Sequence, residues 1–196
     1  MHERLLQQLL FIKEIDKIKS IIRKSQHFSD ENYENDAEHS WHISMMALIL
    51  SEYSNVKIDI LKVIKMLLIH DIVEIDAGDV YVYDKTSFDC ENEHKAAERI
   101  FGMLPDDQSK EFLNLWLEFE ERSTPEARFS NAIDRLQPVM QNIDHDCKTW
   151  KSGLTNHEKV INMNEKIGDG SKALWDYIKK EIDDAFRTID IQQENK

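Results

Sequence analysis

Residues 60–71 read ILKVIKMLLIHD and form the most continuously apolar helical stretch of the chain, ending in His70 and Asp71. Helix-forming residues dominate this stretch, and its two lysines leave only a narrow polar edge. A carboxylate rarely lies at the end of a buried helix unless something compensates its charge. A divalent metal ion can do so, because imidazole nitrogen and carboxylate oxygen are both common ligands. His70 and Asp71 are therefore the first candidates for a metal site.

The composition is that of a helical globular protein. The chain has 196 residues, of which 41% are hydrophobic and 32% charged, with only five glycines and three prolines. Because turn-forming residues are scarce, long helices are favoured over many short strands. We predict an all-α fold in one domain over residues 1–196, with the motif-bearing core at about 5–150 and a C-terminal extension at 151–196.

Net charge and cysteine content indicate which partners and which cellular compartment to expect. The formal net charge of −13 argues against binding to nucleic acid or an anionic membrane, although a locally positive pocket can still take a small anion. Cys90 and Cys147 show no paired spacing, and the N-terminus does not resemble a signal peptide. The longest unbroken apolar run, residues 45–50, is far too short to cross a membrane. A cytoplasmic protein is expected.

Apolar spacing and capping residues predict a series of helices. Asn35 and Asp36 offer a cap for the second helix, Gly78 should end the third, and Ser171 should cap the last. Residues 25–36 and 79–89 are predicted to be loops. The predicted helices cover residues 3–24, 37–53, 59–78, 90–104, 105–121, a segment from Thr124 through Asp134, 156–164 and 171–188.

Two further residues extend the candidate metal site. His39 lies in the segment AEHSWH near the start of the second helix, and Asp134 lies between apolar neighbours in FSNAIDRL. With His70 and Asp71 they would supply two nitrogens and two oxygens from rigid helices, which suits a divalent ion with positions left for water and substrate.

Each of these residues also has a simpler interpretation. His39 alone fits a surface or capping residue, and Asp134 alone fits an ion-pair partner of Arg135 or Arg23. Pro138 cannot donate the helical hydrogen bond to the Asp134 carbonyl, so it either bends the helix around the core or aims the Asp134 side chain at the metal.

Two acids follow the His-Asp pair. Glu74 is four residues after His70 and three after Asp71, so on a continuous helix the three share a face. A carboxylate there can exchange a proton with the attacking water or the leaving group, or it is a solvated acid or a hydrogen-bond partner of a ligating histidine. Asp79 directly follows Gly78 and is expected to hold a sugar hydroxyl or to cap the loop.

Taken together, these segments resemble a known family. The order H…HD…D, within AEHSWH (37–42), HDIVEIDAGD (70–79), EARF (126–129) and DRLQP (134–138), is similar to the HD-domain metal-dependent phosphohydrolases. The likeness is strongest to the compact branch that contains the 5′-deoxynucleotidases, and it covers roughly residues 5–150.

The resemblance implies an all-α HD-domain fold and a divalent ion (Mn, Co, Mg, Zn or Fe) held by His39, His70, Asp71 and Asp134. Members with two metals usually have further histidines between the HD pair and the last aspartate. Here that interval contains only His94, so one metal ion is expected.

The resemblance also assigns substrate contacts. It implies that Glu74 serves the attacking water, that Asp79 lies near the nucleoside sugar and that Arg23 contacts phosphate. On charge grounds, Lys24 or Lys85 is expected to help Arg23 offset the phosphate charge. From the sequence alone, Arg23 fits equally well as a charge at a helix C-terminus. The branch usually has a tryptophan beside this arginine, whereas KSQH follows it here.

The predicted function is a phosphohydrolase that releases phosphate from small phosphate esters, foremost nucleoside 5′-monophosphates, by attack of a metal-activated water. The same site acting on a cyclic nucleotide, a nucleoside triphosphate or an alarmone is the alternative. A non-enzymatic nucleotide- or metal-binding module is disfavoured by the intact Glu74, and a two-iron oxygenase by the shortage of histidines. A homodimer is expected by analogy.

Overall fold

The computed structural model describes residues 2–78, 87–151 and 155–194, which form helices and one small antiparallel sheet. The all-α prediction is confirmed. Strand β1 (Ile22–Gln26) pairs with β2 (Tyr33–Asn35), with Ile22 opposite Asn35. The helices are α1 (His2–Ile15), α2 (Asp36–Leu50), α3 (Ile60–Ile69), α4 (Glu74–Ala77), α5 (Ser87–Phe101), α6 (Asp106–Glu121), α7 (Pro125–Asp144), α8 (Lys148–Lys151), α9 (His157–Asn164), α10 (Ile167–Gly170) and α11 (Lys172–Glu194).

The first predicted helix and the first predicted loop are both wrong in part. Helix α1 ends at Ile15, a 3₁₀ segment spans Asp16–Ser20, and the chain then becomes extended at Ile21 with φ −87° and ψ 113°. Pairing with β2 gives this segment backbone partners that its helical apolar spacing does not predict, so long-range pairing overrides local propensity.

Caps fix the starts of the three helices that matter for the site. The Asn35 side chain accepts from the Glu38 N–H at 3.0 Å, and the Glu38 carboxylate accepts from the Asn35 N–H at 2.9 Å, which is a complete capping box. Asp59 accepts from the N–H of Leu61, and Thr124 accepts from that of Ala127. The predicted starts of α2, α3 and α7 are confirmed.

The predicted helix over 59–78 is interrupted. Helix α3 stops at Ile69, a 3₁₀ turn covers His70–Val73, and α4 carries the chain to Gly78, where φ is 78°. The end at Gly78 is confirmed, but the continuous helix is not. The continuous helix that would place His70, Asp71 and Glu74 on one face is therefore absent.

Helices α6, α7 and α9 agree with their predictions. Helix α5 begins at Ser87, so residues 87–89 of the predicted 79–89 loop are helical, the short helices α8 and α10 were not predicted, and α11 runs past residue 188. Helix α7 is the centre of the fold, since α2, α3, α6, α10 and α11 all pack against it. Its inner face carries the fully buried Phe129 and Ile133. Pro138 lies inside α7, which continues through it to Asp144. Within the described ranges, no helix is both long enough and apolar enough to span a bilayer.

The C-terminal helices are joined tightly to this centre. A Cβ added at Gly170 of α10 would lie 2.4 Å from the Arg128 carbonyl oxygen, so only glycine permits this approach to α7. The Asn55 side chain donates to the Gly168 carbonyl at 2.8 Å and accepts from the Lys172 N–H at 2.7 Å.

Candidate metal centre

The four predicted ligands lie together where three elements meet, and we call them the ligand cluster: His39, His70, Asp71 and Asp134. The ligand atoms of the first three are all within 4.8 Å of one another. His39 Nε2 is 3.0 Å from Asp134 Oδ1, and His70 Nε2 is 3.0 Å from Asp71 Oδ1 and 3.5 Å from Asp134 Oδ1. Both imidazoles are buried.

The second nitrogen of each imidazole fixes its orientation. His39 Nδ1 lies 2.6 Å from Gln137 Oε1, and His70 Nδ1 lies 2.9 Å from the Leu67 carbonyl oxygen. Both oxygens are acceptors, so each Nδ1 carries a proton and each Nε2 faces the carboxylates, as in metal-ligating histidines.

Buried His70 Nε2 shows that the cluster fits a cation. It has no hydrogen-bond partner among the described residues, although Asp71 and Asp134 oxygens lie within 3.5 Å. A buried polar atom without a partner is unusual and requires an explanation. A divalent cation between the imidazole nitrogens and the carboxylates would satisfy all of these atoms at once.

The charged residues around the cluster also favour a bound cation. Arg23 on β1 places Nη1 2.7 Å from Asp71 Oδ2 and 3.0 Å from Asp36 Oδ1. Burial opposes its charge, but the carboxyl groups of Asp71, Glu74 and Asp36 outweigh burial and raise the pKa of Arg23. One guanidinium does not balance the acids gathered here, which are Glu34, Asp36, Asp71, Glu74 and Asp134.

Protons on the imidazoles can balance part of the negative charge that a metal ion would otherwise balance. Burial alone would lower the pKa of His70, but Asp71 and Asp134 raise it well above the usual value. Burial likewise acts against the ionised form of Asp71, yet His70 and Arg23 hold its pKa below the usual range. The metal-free site therefore keeps imidazolium paired with carboxylate.

We expect metal binding to displace these protons. Despite burial, the pKa values of His39 and His70 are raised above the usual value for histidine because the carboxylates of Asp134, Glu34 and Asp71 favour the imidazolium form, so protonation of the rings competes with the ion. Affinity should fall as pH falls, and up to about two protons should be released per ion. Calorimetric titration of Mn²⁺ into metal-free protein, in two buffers with different ionisation enthalpies, measures this release. Equal heats in both buffers would contradict it.

Glu74 lies beside the cluster, as predicted, although the 3₁₀ turn and not a continuous helix brings it there. Burial, with further repulsion from Asp71 and Asp36, raises the pKa of Glu74 to about 11. In the metal-free protein this carboxyl group holds a proton.

Of the other predicted residues, some lie near the ligand cluster and others do not. Arg23 and Lys24 line the same cavity as the ligand cluster. His94 does not join the cluster; it is half-exposed on α5, 3.6 Å from Glu98. The predicted sites at Asp79 and Lys85, and most of the predicted 79–89 loop, lie outside the described residues.

Sequence reasoning missed the residues that support the ligands. Glu34, buried on β2, accepts from both Gln137 Nε2 and Gln141 Nε2 at 3.0 Å, and Gln137 in turn holds His39. Burial opposes ionisation of Glu34, but hydrogen bonds and the nearby His39 lower its pKa to about 2. Gln137 lies one helical turn after Asp134, a spacing that could have revealed it. Glu34 falls in a segment with no periodic pattern.

A cavity of about 290 Å³ opens onto the cluster. It follows α7 from Asn131 past Asp134 to His145, a distance of about 20 Å at 1.5 Å rise per residue. The remaining wall includes β1, the His70–Glu74 segment and the end of α6, together with apolar side chains of Pro138, Val139, Trp150 and Met163.

Comparison with known proteins confirms the resemblance found in the sequence. The family model described as HD domain matches residues 15–175. A crystal structure titled as a predicted metal-dependent phosphohydrolase from Magnetospirillum magnetotacticum MS-1 is 46% identical and superposes with a TM-score of 0.90 over 94% of each chain. The 5′-deoxynucleotidase HDDC2 of Danio rerio is 30% identical over 148 residues, which is 74% of this chain and 72% of the relative. The human protein of the same name is 24% identical over 79% of this chain and 81% of its own length. This chain belongs to the HD domain family.

Proposed function

We propose that this protein is a metal-dependent phosphohydrolase that releases phosphate from nucleoside 5′-monophosphates. The observation that carries the proposal is the ligand cluster: two imidazole Nε2 atoms and two carboxylates from separate elements converge at the wall of a cavity. The relatives named 5′-deoxynucleotidase support the choice of substrate.

His39, His70, Asp71 and Asp134 would hold one divalent ion. A mixed nitrogen and oxygen donor set suits Mn, Fe, Co or Zn better than Mg, which prefers oxygen ligands and water. When bound, such an ion supplies Lewis acidity toward a phosphoryl oxygen and toward water.

Glu74 is the residue that moves the proton in this proposal. Its carboxyl group lines the cavity near Asp71 and Asp36, and Arg23 donates to both of those carboxylates. A carboxyl group whose protonated form is favoured by burial can deliver a proton to the leaving alkoxide and can take one from the attacking water.

The shape of the cavity supports a substrate larger than a simple phosphate ester. It extends along α7 beyond Asp134, and Pro138, Val139, Trp150 and Met163 line it. Apolar walls with a few polar groups are typical of sites that bury a ring system such as a nucleobase.

Reloading metal-free protein tests the function. The protein would receive Mn, Co, Mg, Zn or Fe and then be assayed for phosphate release from nucleoside monophosphates, cyclic nucleotides, triphosphates and guanosine tetraphosphate. We expect release from at least one 5′-monophosphate. Release confined to the other nucleotides would favour the alternative substrates, and no release with any metal would contradict an enzyme.

We further propose a cytoplasmic homodimer. Cys90 and Cys147 are both free thiols, as is usual in a reducing compartment. Helix α2 exposes an apolar surface made of Trp41, Met45, Leu48 and Ile49, which a second copy could cover. A monomer mass in light scattering would contradict the dimer.

A further inference from the structure

Arg122 occupies an unusual backbone position. It directly follows α6 and has φ 54° and ψ 28°, in the left-handed region. Glycine is favoured at such a helix end because it lacks the Cβ that causes steric strain there, and asparagine is the side chain that tolerates it best. The arginine here carries a backbone cost that glycine would avoid, which favours a use for its side chain.

Among the described residues, the guanidinium group of Arg122 has no partner. The residue lines the cavity, its backbone N–H donates to the Glu118 carbonyl, and its buried Nε has no hydrogen-bond acceptor. The contrast with Arg23 is informative. Arg23 already donates to Asp36 and Asp71 and has Glu34 and Glu74 nearby, so its charge is largely used within the protein.

The end of α6 lies beside the ligand cluster. The ring of Phe119, three residues before Arg122, packs against the His70 imidazole with 5.0 Å between ring centroids. The Asn131 side chain donates to the Phe119 carbonyl at 2.8 Å, and Asn131 precedes Asp134 by one turn of α7. The cavity is therefore continuous from Arg122 to the ligand cluster.

We propose that Arg122 is a substrate-binding residue that pairs with a phosphoryl oxygen of the nucleotide. The inference rests on the proposed function and names a residue that neither the motif nor the comparisons assign. An anionic substrate in this cavity needs a cation at the wall, and Arg122 lines that wall. The planar guanidinium offers paired donors that match phosphate oxygens.

Arg122→Asn separates binding from folding. Asparagine tolerates the left-handed backbone, so the variant should unfold at the wild-type temperature or slightly above it. We expect its KM for the hydrolysed monophosphate to rise about 10- to 100-fold, because a charge-assisted hydrogen bond is lost. Inorganic phosphate, titrated calorimetrically into metal-loaded protein, should bind more weakly by a similar factor. Arg122→Lys should recover part of the affinity.

Arg128→Gln is the matched control. Arg128 lies six residues further on, donates to the Ser123 carbonyl at 3.0 Å and does not line the cavity, so the variant loses the same charge without touching substrate. Wild-type KM and phosphate affinity in Arg122→Asn would overturn the inference, as would equal losses in both variants. If wild-type protein hydrolyses no nucleotide, the proposed function fails, and phosphate titration of Arg122→Asn still decides the role of Arg122.

Discussion

Replacing Asp71 by alanine is expected to lower phosphate release at least about 100-fold and to reduce the bound metal, on the scale seen when ligation fails. Asp71 faces His70 Nε2 at 3.0 Å and Arg23 Nη1 at 2.7 Å, so the variant removes an oxygen ligand and leaves the guanidinium with one partner fewer. Turnover and metal content, measured on the same preparation, check the result.

Two further variants make the Asp71 experiment specific. Asp71→Asn keeps the shape of the side chain but loses its charge, so it should also lose metal. Asp76→Ala, five residues along the chain, removes an acid whose partner is Arg99 at the surface, and it should keep both metal and turnover. Near wild-type turnover in Asp71→Ala would rule out the proposed mechanism.

Glu74→Gln is expected to lose about 100- to 10,000-fold in kcat while keeping its metal, because glutamine preserves the size of the side chain but cannot move a proton. Single-turnover phosphate release with metal analysis separates the two effects. Glu111→Gln, which removes a surface partner of Lys65, is the matched control. Loss of metal in Glu74→Gln would mean that Glu74 is a ligand or supports one.

The ligand cluster could be anticipated because its signals are local. Asn35, Asp59 and Thr124 cap the helices at the predicted starts, and the apolar pattern then determines which faces turn inward. Once α2, α3 and α7 pack together, the polar residues at or next to their apolar faces come close to one another. The roles assigned to the four residues stay predictions until metal binding is measured.

The features that were missed are ones that the local apolar pattern does not report. The pairing of β1 with β2 sets the position of Arg23, and the hydrogen bonds of Glu34 reach α7 across more than 100 residues. The 3₁₀ turn at His70–Val73 likewise interrupts a sequence pattern that suits a continuous helix. None of these features leaves a periodic signature in the chain.

The close approach of Gly170 to α7 determines whether the C-terminal helices can be removed by truncation. Helix α7 supplies Asp134 to the cavity wall, and its carbonyl at Arg128 rests against α10, which Asn55 ties to the loop after α2. We therefore expect the C-terminal helices to melt cooperatively with the catalytic half. A minimal fragment for engineering must retain them, because truncation at residue 150 would remove the packing that supports the helix carrying Asp134, a proposed metal ligand.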